Sequence, residues 1–589
     1  MKIMMKPLPL LLAAMMPATA LAATGTTTPA SIMHQVNSPM PAVMSPADQA
    51  RYKAIFAAVH ENRLSDAATM ADAAPQGLLT ATAQAEIWLS PSGSKPSPAA
   101  LAAWLSANTD LPQAEPLMAM AHGMGLSDLP SLPHSIALHS ITSPGRERPM
   151  PVRGDSAGVR FSQRVKPLLS DNRIAEAEAL LNDDHAMGAD ARTEWGQRIS
   201  WYYYLANDDT RALSLAARTA AGGRGEWAVM ADWVAGLAAF RSQAFDQAAS
   251  HFARVASLAA GSDLAAAGQF WTARAEMASG RPQQVSARLR TAARYKDSFY
   301  GLLAARSLGL KQPAPPLRPD FILADWKHVE TLPGARRAAA LAEIGEMELA
   351  DKELRYLAIT GQPENHVALT HLAAKLDLPT TQYWLAHNAP DGVTPPLAAR
   401  YPAPSWAPSR GWRVDRALVF AHALQESRFM ANAKSSAGAR GIMQLMPATA
   451  REVADSMAMP LADNQLTDPS FNIECGQTYL ESLRDSPWTA GLLPKVIAAY
   501  NAGPGSVRKW NEQLRDNGDP LLFIESIPFG ETRHYVEIVL KNYWMYQDGE
   551  GNAASSLDAL AQGMWPRFPG MPGKTALRLD SVGLTANAN

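Results

Sequence analysis

Glu426 is the residue of this sequence whose type and setting best fit acid catalysis. It ends a segment in which apolar residues recur at helical spacing (Val414, Leu418 and Ala421), so a helix is predicted to carry the carboxyl group at its end. A carboxylic acid can donate a proton near neutral pH only if its pKa lies above the usual ~4.3, and burial has this effect. The chemistry that needs such a proton is the departure of a poor leaving group, for example a glycosidic oxygen.

The surroundings of Glu426 in the sequence offer little help from a second acid. Most glycosidases pair the acid with another carboxylate, but between Glu426 and Met459 there are only Glu452 and Asp455, beyond Pro447. The residues therefore offer no compelling second acid for a cleft that we expect the side chains Met443, Met446 and Tyr500 to line. The alternative for Glu426 is a solvated ion pair with Arg428. His422, one helical turn earlier, is expected to be packed or turned away, because its protonated ring would lower the pKa of the acid.

Four short motifs occur in order along the C-terminal part of the chain. They are Glu426-Ser427, Gly441-Ile442-Met443-Gln444, Ala499-Tyr500-Asn501, and the run from Pro528 through Glu531-Thr532 to Tyr535. The ordered set resembles the soluble lytic transglycosylases of the bacterial cell wall, specifically the large Slt-type enzymes, with Ile442 in place of the family's leucine. The detailed resemblance covers roughly Trp406 to Gln547; before it, the likeness is architectural only. Gly441 is expected to permit close backbone approach.

This resemblance implies a reaction in which a single glutamate acts twice. Glu426 would first protonate the oxygen between N-acetylmuramic acid (MurNAc) and N-acetylglucosamine (GlcNAc). Its carboxylate would then take the proton of the C6 hydroxyl of the same muramic residue, which closes a 1,6-anhydro ring. Because the attacking hydroxyl is tethered to the substrate, proximity replaces an activated water. No cofactor is implied, and the partner is the peptidoglycan glycan strand; cell-wall synthesis or secretion partners are not indicated by the residues.

The resemblance also implies which residues bind the substrate: Ser435, Gln444, Met446, Tyr500, Asn501 and Glu531. A serine at position 435 is expected near the carboxylate, and Gln444 is expected to hold acetamido or hydroxyl groups. Tyr500 is expected to donate its hydroxyl near Glu426 or the acetamido group, and Asn501 to serve as a cap or loop anchor. Glu531 either faces the peptide side of the substrate or simply complements the dipole of a helix first turn.

Composition excludes several other classes of function. Lys and Arg number 53 and Asp and Glu 55, for a net charge of −2, which argues against a dedicated nucleic-acid binder. The single cysteine, Cys475, excludes an intramolecular disulfide and a cysteine-based zinc site, and it is expected to be a small buried residue. The 13 histidines include no HExxH motif, so no metal site is predicted.

The first residues have the features of a secretory signal peptide. Lys2 and Lys6 precede an apolar run from Leu8 to Met16, and small residues follow up to Ala22, so cleavage after Ala20 or Ala22 is expected. The alternative, a membrane anchor, would need an apolar run of about 20 residues. We therefore expect export to the periplasm.

The remaining sequence predicts a mainly α-helical protein. Alanine-rich helical patterns dominate, and Trp233 and Trp271 head two similar segments in which large residues face small ones, as in stacked helix pairs. Proline-dense stretches separate the tracts. The predicted segments are a signal peptide (1–22), a helical or loosely ordered region (23–150), an α-helical superhelix, ring or horseshoe, of tetratricopeptide-like pairs (151–318), a helical linker domain (319–400), a lysozyme-like transglycosylase domain (401–550) and a flexible tail (551–589).

Two alternatives to a transglycosylase remain open on the sequence alone. A hydrolase of the goose-lysozyme type could share the catalytic domain, and it would leave a reducing muramic acid end. The chain could also be a non-catalytic periplasmic scaffold whose helical repeats bind partner proteins, although the intact Glu426, Gln444 and Tyr500 argue against a decayed site.

Overall fold

The computed structural model describes residues 40–579, with gaps at 75, 142–145, 147–148, 311–320 and 463. The expected signal peptide therefore lies outside the described residues. The part that is described contains 27 α-helices and four strands of two residues each, so the mainly α-helical prediction is confirmed. Within it, no helix combines the length and the apolar character that a membrane crossing requires.

The first five helices lie in the segment expected to be helical or loosely ordered. They are Pro46–His60 (α1), Leu64–Ala73 (α2), Thr80–Leu89 (α3), Pro98–Ala107 (α4) and Ala114–Gly123 (α5). The first begins where the Ser45 hydroxyl accepts from the Asp48 amide at 3.2 Å, a regular N-cap followed by proline. Tyr52 and Phe56 of α1 share a hydrophobic core with Trp326 and Leu341 from the predicted linker domain. These helices are therefore joined to the middle of the chain by apolar packing.

Nine helices form the repeating tract in the centre of the chain. They are Ser156–Ser170 (α6), Ile174–Asp183 (α7), Ala189–Leu205 (α8), Asp209–Gly222 (α9), Gly225–Arg241 (α10), Phe245–Leu258 (α11), Ser262–Ala278 (α12), Pro282–Ala292 (α13) and Phe299–Ser307 (α14). The expected packing of large on small residues is present: a Cβ on Gly236 would lie 2.6 Å from the Phe252 ring. Trp233 and Trp271 are fully buried with their ring centroids 6.4 Å apart. These aromatic residues therefore belong to the core.

Five further helices and the first sheet make up the tract before the C-terminal helices. The helices are Leu323–Val329 (α15), Pro333–Ile344 (α16), Met347–Thr360 (α17), His366–Lys375 (α18) and Pro379–His387 (α19), with 3₁₀ turns at Pro363–Asn365 and Leu397–Arg400. His139–Ser140 (β1) pairs antiparallel with Asn388–Ala389 (β2). This pairing joins the chain before the central repeat to the chain after it.

The C-terminal helices carry the candidate site. They are Arg416–Ser427 (α20), Pro447–Ser456 (α21), Pro469–Asp485 (α22), Leu493–Ala502 (α23), Pro504–Gln513 (α24), Pro520–Ser526 (α25), Gly530–Gly549 (α26) and Ser555–Ala561 (α27), with a 3₁₀ turn at Gln465–Thr467. Trp565–Pro566 (β3) pairs antiparallel with Ala576–Leu577 (β4).

The expected flexible tail is ordered over the residues described, 551–579. Trp565 is 1 % exposed, and its indole N–H donates to the Gly518 carbonyl at 2.8 Å. Leu557 and Phe568 are buried in the same core as residues of α20, α23 and α26. The expectation is wrong for this stretch, because Trp565 and Phe568 are buried and β3 pairs with β4 across the segment that holds the prolines.

Candidate active site

The helix α20 presents Glu426 in its last turn. The helix begins at an N-cap, Asp415, which accepts from the Ala417 amide at 3.0 Å and from the Tyr543 hydroxyl at 2.7 Å. It ends abruptly because Arg428 and Phe429 both adopt left-handed backbone angles, with φ of 55° and 64°. The Phe429 ring is buried, so the chain folds back at this point and leaves Glu426 at the end of a rigid helix.

The second motif is held against the end of α20. The Ser427 hydroxyl donates to the Ile442 carbonyl at 2.7 Å, and the Met443 amide donates to Asn472 Oδ1 at 2.9 Å. Gly441 has φ of 77°, and a Cβ there would lie 2.2 Å from both Asn472 Nδ2 and the Leu466 carbonyl oxygen. The close approach expected at Gly441 is therefore present, and Asn472 is a supporting residue that the sequence analysis missed.

The carboxyl group of Glu426 has a tyrosine as its hydrogen-bond partner. The Tyr535 hydroxyl donates to Glu426 Oε1 at 2.6 Å, from a side chain that is itself buried. Burial raises the pKa of Glu426 to about 7; the Tyr535 hydrogen bond opposes this rise and the negative charge of Glu531 adds to it. Glu426 is thus poised to hold or lose a proton near neutral pH.

The alternative for Glu426, a solvated ion pair with Arg428, is not what the structure shows. Arg428 is exposed, and its guanidinium lies 5.6 Å from the centroid of the Tyr383 ring. His422 behaves as expected: it is fully buried, Nδ1 lies 2.9 Å from the Leu418 carbonyl, and burial lowers its pKa to about 4. The imidazole is therefore neutral at pH 7 and places no positive charge beside the acid.

Tyr500 occupies a different position from the one expected. Its hydroxyl donates to the Met443 carbonyl at 2.9 Å, so its one proton is not directed to Glu426. Its ring packs 4.8 Å from the His422 ring and so helps to enclose the acid. The hydrogen-bonding role assigned to Tyr500 belongs to Tyr535, which lies four residues after Glu531 on the same face of α26. Because both tyrosines lie in motifs, residue spacing alone does not tell them apart.

Three other predicted residues, Asn501, Gln444 and Ser435, make hydrogen bonds within or between the motifs. Asn501 accepts from the Thr532 hydroxyl at 2.6 Å, which joins the third motif to the fourth. The Gln444 amide group donates to the Gly441 and Ala433 carbonyls at 2.8 and 3.3 Å. Ser435 accepts from the Ala439 amide at 3.0 Å within its own turn. Asn501 is thus a loop anchor, and the bonds of Gln444 and Ser435 stabilise the backbone around them.

Met446 and Glu531 are the exposed members of the predicted set. The Met446 side chain is 43 % exposed, and Glu531 is exposed at the start of α26, where its charge acts on Glu426. The buried thiol Cys475 has its pKa raised to about 12 by burial and is unreactive, as expected for a small core residue.

We also searched the described residues for a metal site and located an open cavity. Among the residues described, no group of three or more His, Cys, Asp or Glu side chains could hold a metal ion. An open cavity of about 760 Å³ lies elsewhere, where α8, α10 and the loop before α25 meet, and it is lined by residues such as Asp209, Arg241 and Arg515. Its lining includes none of the predicted site residues.

Comparison with known proteins supports the resemblance on which these positions were chosen. Residues 406–523 match the family described as the Transglycosylase SLT domain. The chain is 38% identical to the soluble lytic murein transglycosylase of Escherichia coli K12 over 144 residues, which cover 24% of this chain and 22% of that protein. Its counterpart from Salmonella typhimurium is 39% identical over 134 residues, 22% of this chain and 20% of the relative. The matched stretches thus span less than a quarter of either relative.

The fold extends the likeness far beyond that segment. The crystal structure of the 70 kDa soluble lytic transglycosylase of Escherichia coli matches 89% of this chain and 100% of its own, with a TM-score of 0.56 and 17% sequence identity. At this identity the match establishes the fold, which the two proteins share from the N-terminal helices to the catalytic segment. The predicted resemblance to the Slt-type enzymes is confirmed.

Proposed function

We propose that this chain is a lytic transglycosylase that cleaves the MurNAc-β-1,4-GlcNAc bond of peptidoglycan and leaves a 1,6-anhydro-MurNAc end. The observation that carries the proposal is the state of Glu426: burial raises its pKa to about 7, and Tyr535 is its bonded partner at 2.6 Å. The SLT domain match over 406–523 and the murein-directed relatives supply the substrate class.

Glu426 acts first as an acid and then as a base in this proposal. Protonated Glu426 gives its proton to the glycosidic oxygen as the bond to the muramic C1 breaks. The resulting carboxylate takes the proton of the C6 hydroxyl as that oxygen bonds to C1, which restores the acid. Tyr535 holds Oε1, so Oε2 is the oxygen that exchanges protons with the sugar. No net proton is consumed and no cofactor is needed.

The substrate-binding roles of the neighbouring residues are part of the same proposal. Gln444 has its amide group bonded to backbone carbonyls, so its own carbonyl oxygen is the atom available to a sugar N–H or hydroxyl. Met446 offers an exposed apolar surface, and Glu531 offers a charge at the mouth of the site. Ser435, Tyr500 and Asn501 stabilise the surrounding backbone and loops through their hydrogen bonds.

Export is proposed together with the activity. Peptidoglycan lies outside the cytoplasmic membrane, and the charged, apolar and small-residue pattern of residues 1–22 is that of a signal peptide. The N-terminal sequence of the mature protein, purified from the periplasm, tests this directly: it should begin at residue 21 or 23.

The activity is tested by digestion of purified sacculi and mass spectrometry of the products. Wild-type protein should release muropeptides with 1,6-anhydro ends, and Glu426→Gln, which keeps the shape of the side chain, should release none. Tyr500→Phe is the matched control, because it removes a hydroxyl that the structure bonds to Met443. Full activity of Glu426→Gln would refute the assignment.

One observation favours a second candidate, a goose-type hydrolase. Glu531 is a carboxylate whose charge acts on Glu426, so the site is not free of a second acid. A hydrolase would use it as a base for water and would leave reducing muramic ends. Glu531→Gln should then abolish cleavage, whereas a transglycosylase should keep its 1,6-anhydro products with weaker substrate binding.

A further inference from the structure

Arg146 is a buried cation between the central repeat and the catalytic helices. Its side chain is 8 % exposed, and its two terminal nitrogens donate to the two oxygens of Glu525 at 2.7 and 2.8 Å. One of them also lies 3.2 Å from Glu537 Oε1. The guanidinium stands 4.8 Å from the centroid of the Trp233 ring. Arg146 thus hydrogen-bonds to α25, forms an ion pair with α26 and stacks on α10.

The two carboxylates depend on this contact. Glu525 is fully buried and Glu537 is 3 % exposed, and a buried carboxylate without a partner is costly. Burial alone would raise the pKa of Glu525, but the charge and hydrogen bonds of Arg146 hold that pKa below its ordinary value. The Tyr300 hydroxyl, from α14, also donates to Glu525. The central repeat and Arg146 therefore fix α25 and the middle of α26.

Other charged groups lie at this boundary, and His534, Arg533 and Asp263 interact with the same cluster of Arg146, Glu525 and Glu537. Lys541 lies 3.7 Å from Asp297, and His534 Nδ1 lies 3.9 Å from Glu537 Oε2. The Arg533 guanidinium stands 4.4 Å from the Trp201 ring. Asp263 is buried, and burial raises its pKa. These contacts hold α26 along its length. Arg146 adds a link between the two helices, because it makes a bidentate bond to Glu525 on α25 and lies 3.2 Å from Glu537 Oε1 on α26.

The helix α26 connects this cluster to the acid. Tyr535 lies two residues before Glu537, and at 100° per residue the two side chains leave nearly opposite faces of the helix. On one face Glu537 meets Arg146; on the other, the Tyr535 hydroxyl meets Glu426 Oε1. A shift of α26 toward or away from the repeat therefore changes the length of the bond to the acid, and displacements near 1 Å matter for such bonds.

We propose that Arg146 is a positioning residue that sets the Tyr535–Glu426 hydrogen bond by holding α25 and α26 against the central repeat. The inference rests on the proposed function only in taking Glu426 as the acid. It predicts that the proton affinity of Glu426 depends on a residue that does not touch it.

The test measures this proton affinity without substrate. Difference titration of the full-length chain against the same chain with Glu426→Gln gives the pKa of Glu426 directly. Arg146→Gln should move this titration toward higher pH, in the same direction as Tyr535→Phe, because the Tyr535 bond stabilises the carboxylate. If the chain cleaves peptidoglycan as proposed, kcat should fall about tenfold with KM changed less than twofold.

A purely electrostatic effect of removing a positive charge would move the titration in the same direction, so the decisive variant is the double one. In a Tyr535→Phe background, Arg146→Gln should cause no further change if it acts through the tyrosine. A change that adds fully to that of Tyr535→Phe would overturn the proposal, as would an unchanged titration in Arg146→Gln alone.

Two further variants keep the result interpretable. Arg146→Lys retains the charge but cannot make two parallel bonds, so a smaller change in the same direction is expected, and this variant replaces Arg146→Gln if the latter does not fold. Arg337 is the matched control: it is also 8 % exposed and pairs with Glu353, outside the catalytic helices. Arg337→Gln should lower the melting temperature and leave the titration in place. Because the titration uses no substrate, its outcome is independent of which products the enzyme releases from peptidoglycan.

Discussion

Tyr535→Phe separates the hydrogen bond of Glu426 from the burial of Glu426. The phenylalanine keeps the ring, which is 4 % exposed and packs near His422, and removes only the hydroxyl that donates to Oε1 at 2.6 Å. Since that bond stabilises the carboxylate, its loss leaves burial and the charge of Glu531 unopposed. The group then holds its proton to higher pH.

The size of the effect follows from the kind of hydrogen bond. A hydrogen bond to a charged group contributes about 1.5–3 kcal/mol, and about 1.4 kcal/mol corresponds to one pH unit in a titration. The alkaline limb of kcat/KM, which reports loss of the proton that must be donated, should therefore move up by about one to two pH units. Activity above pH 8 should rise relative to activity at pH 6.

The assay is release of soluble muropeptides from sacculi between pH 4 and pH 10, with constant ionic strength. Tyr500→Phe is the control, since its hydroxyl is bonded to the Met443 carbonyl and not to the acid, and its alkaline limb should stay where the wild type has it. An alkaline limb that does not move in Tyr535→Phe, or that moves to lower pH, would refute the account of how the Glu426 pKa is set.

Three other changes have clear expected outcomes. At pH 8, the free energy of unfolding of Glu426→Gln should exceed that of the wild type by up to about 3 kcal/mol, and at pH 4 the two should be equal. The reason is that a carboxyl group whose pKa is raised in the folded state makes the fold less stable as pH rises from about 4.5 through about 7. Chemical denaturation at both pH values checks this. Gly441→Ala should destabilise the fold by at least about 2 kcal/mol in the same assay, because its Cβ would lie 2.2 Å from Asn472 Nδ2 at a residue with positive φ. Gly438→Ala is the control: its φ is 90°, but no atom lies close to the added Cβ, so the destabilisation should be smaller. Trp565→Ala should cost about 3–5 kcal/mol, a loss that a flexible tail would not show.

The sequence located the acid but not its partner. Glu426 could be singled out because an apolar helix and three ordered motifs surround it, and these are local patterns. The sequence left open which tyrosine bonds to Glu426, since Tyr500 and Tyr535 each lie in a motif; in the structure Tyr535 is buried and Tyr500 is half-buried. Which hydroxyl reaches the carboxylate depends on the angle between α20, α23 and α26, and a tertiary angle of this kind leaves no trace in residue spacing.

The same limit explains what was right and wrong about the fold. The large-on-small pattern around Trp233 and Gly236 predicts stacked helix pairs because it is a property of neighbouring helices. The core shared by Tyr52 and Trp326, and the burial of Trp565 against the loop before α25, join residues more than 40 positions apart in sequence. From its composition, the C-terminal segment that contains Trp565 was expected to be flexible. Its long-range contacts show that it is packed.

The partners of two buried glutamates, Glu525 and Glu426, explain why their pKa values differ. Glu525 on α25 and Glu426 on α20 are both largely withdrawn from solvent, so burial acts on both to raise the pKa. Glu525 has Arg146 against it, and its pKa is low; Glu426 has a tyrosine, a neutral His422 and the charge of Glu531, and its pKa is about 7. A cation beside Glu426 would favour the carboxylate and so remove the proton that the proposed reaction needs. The sequence places the nearest candidate, Arg428, two residues away, and the left-handed turn after Ser427 directs it to Tyr383 instead. The helix end therefore does more than hold the acid: it keeps a positive charge from reaching it.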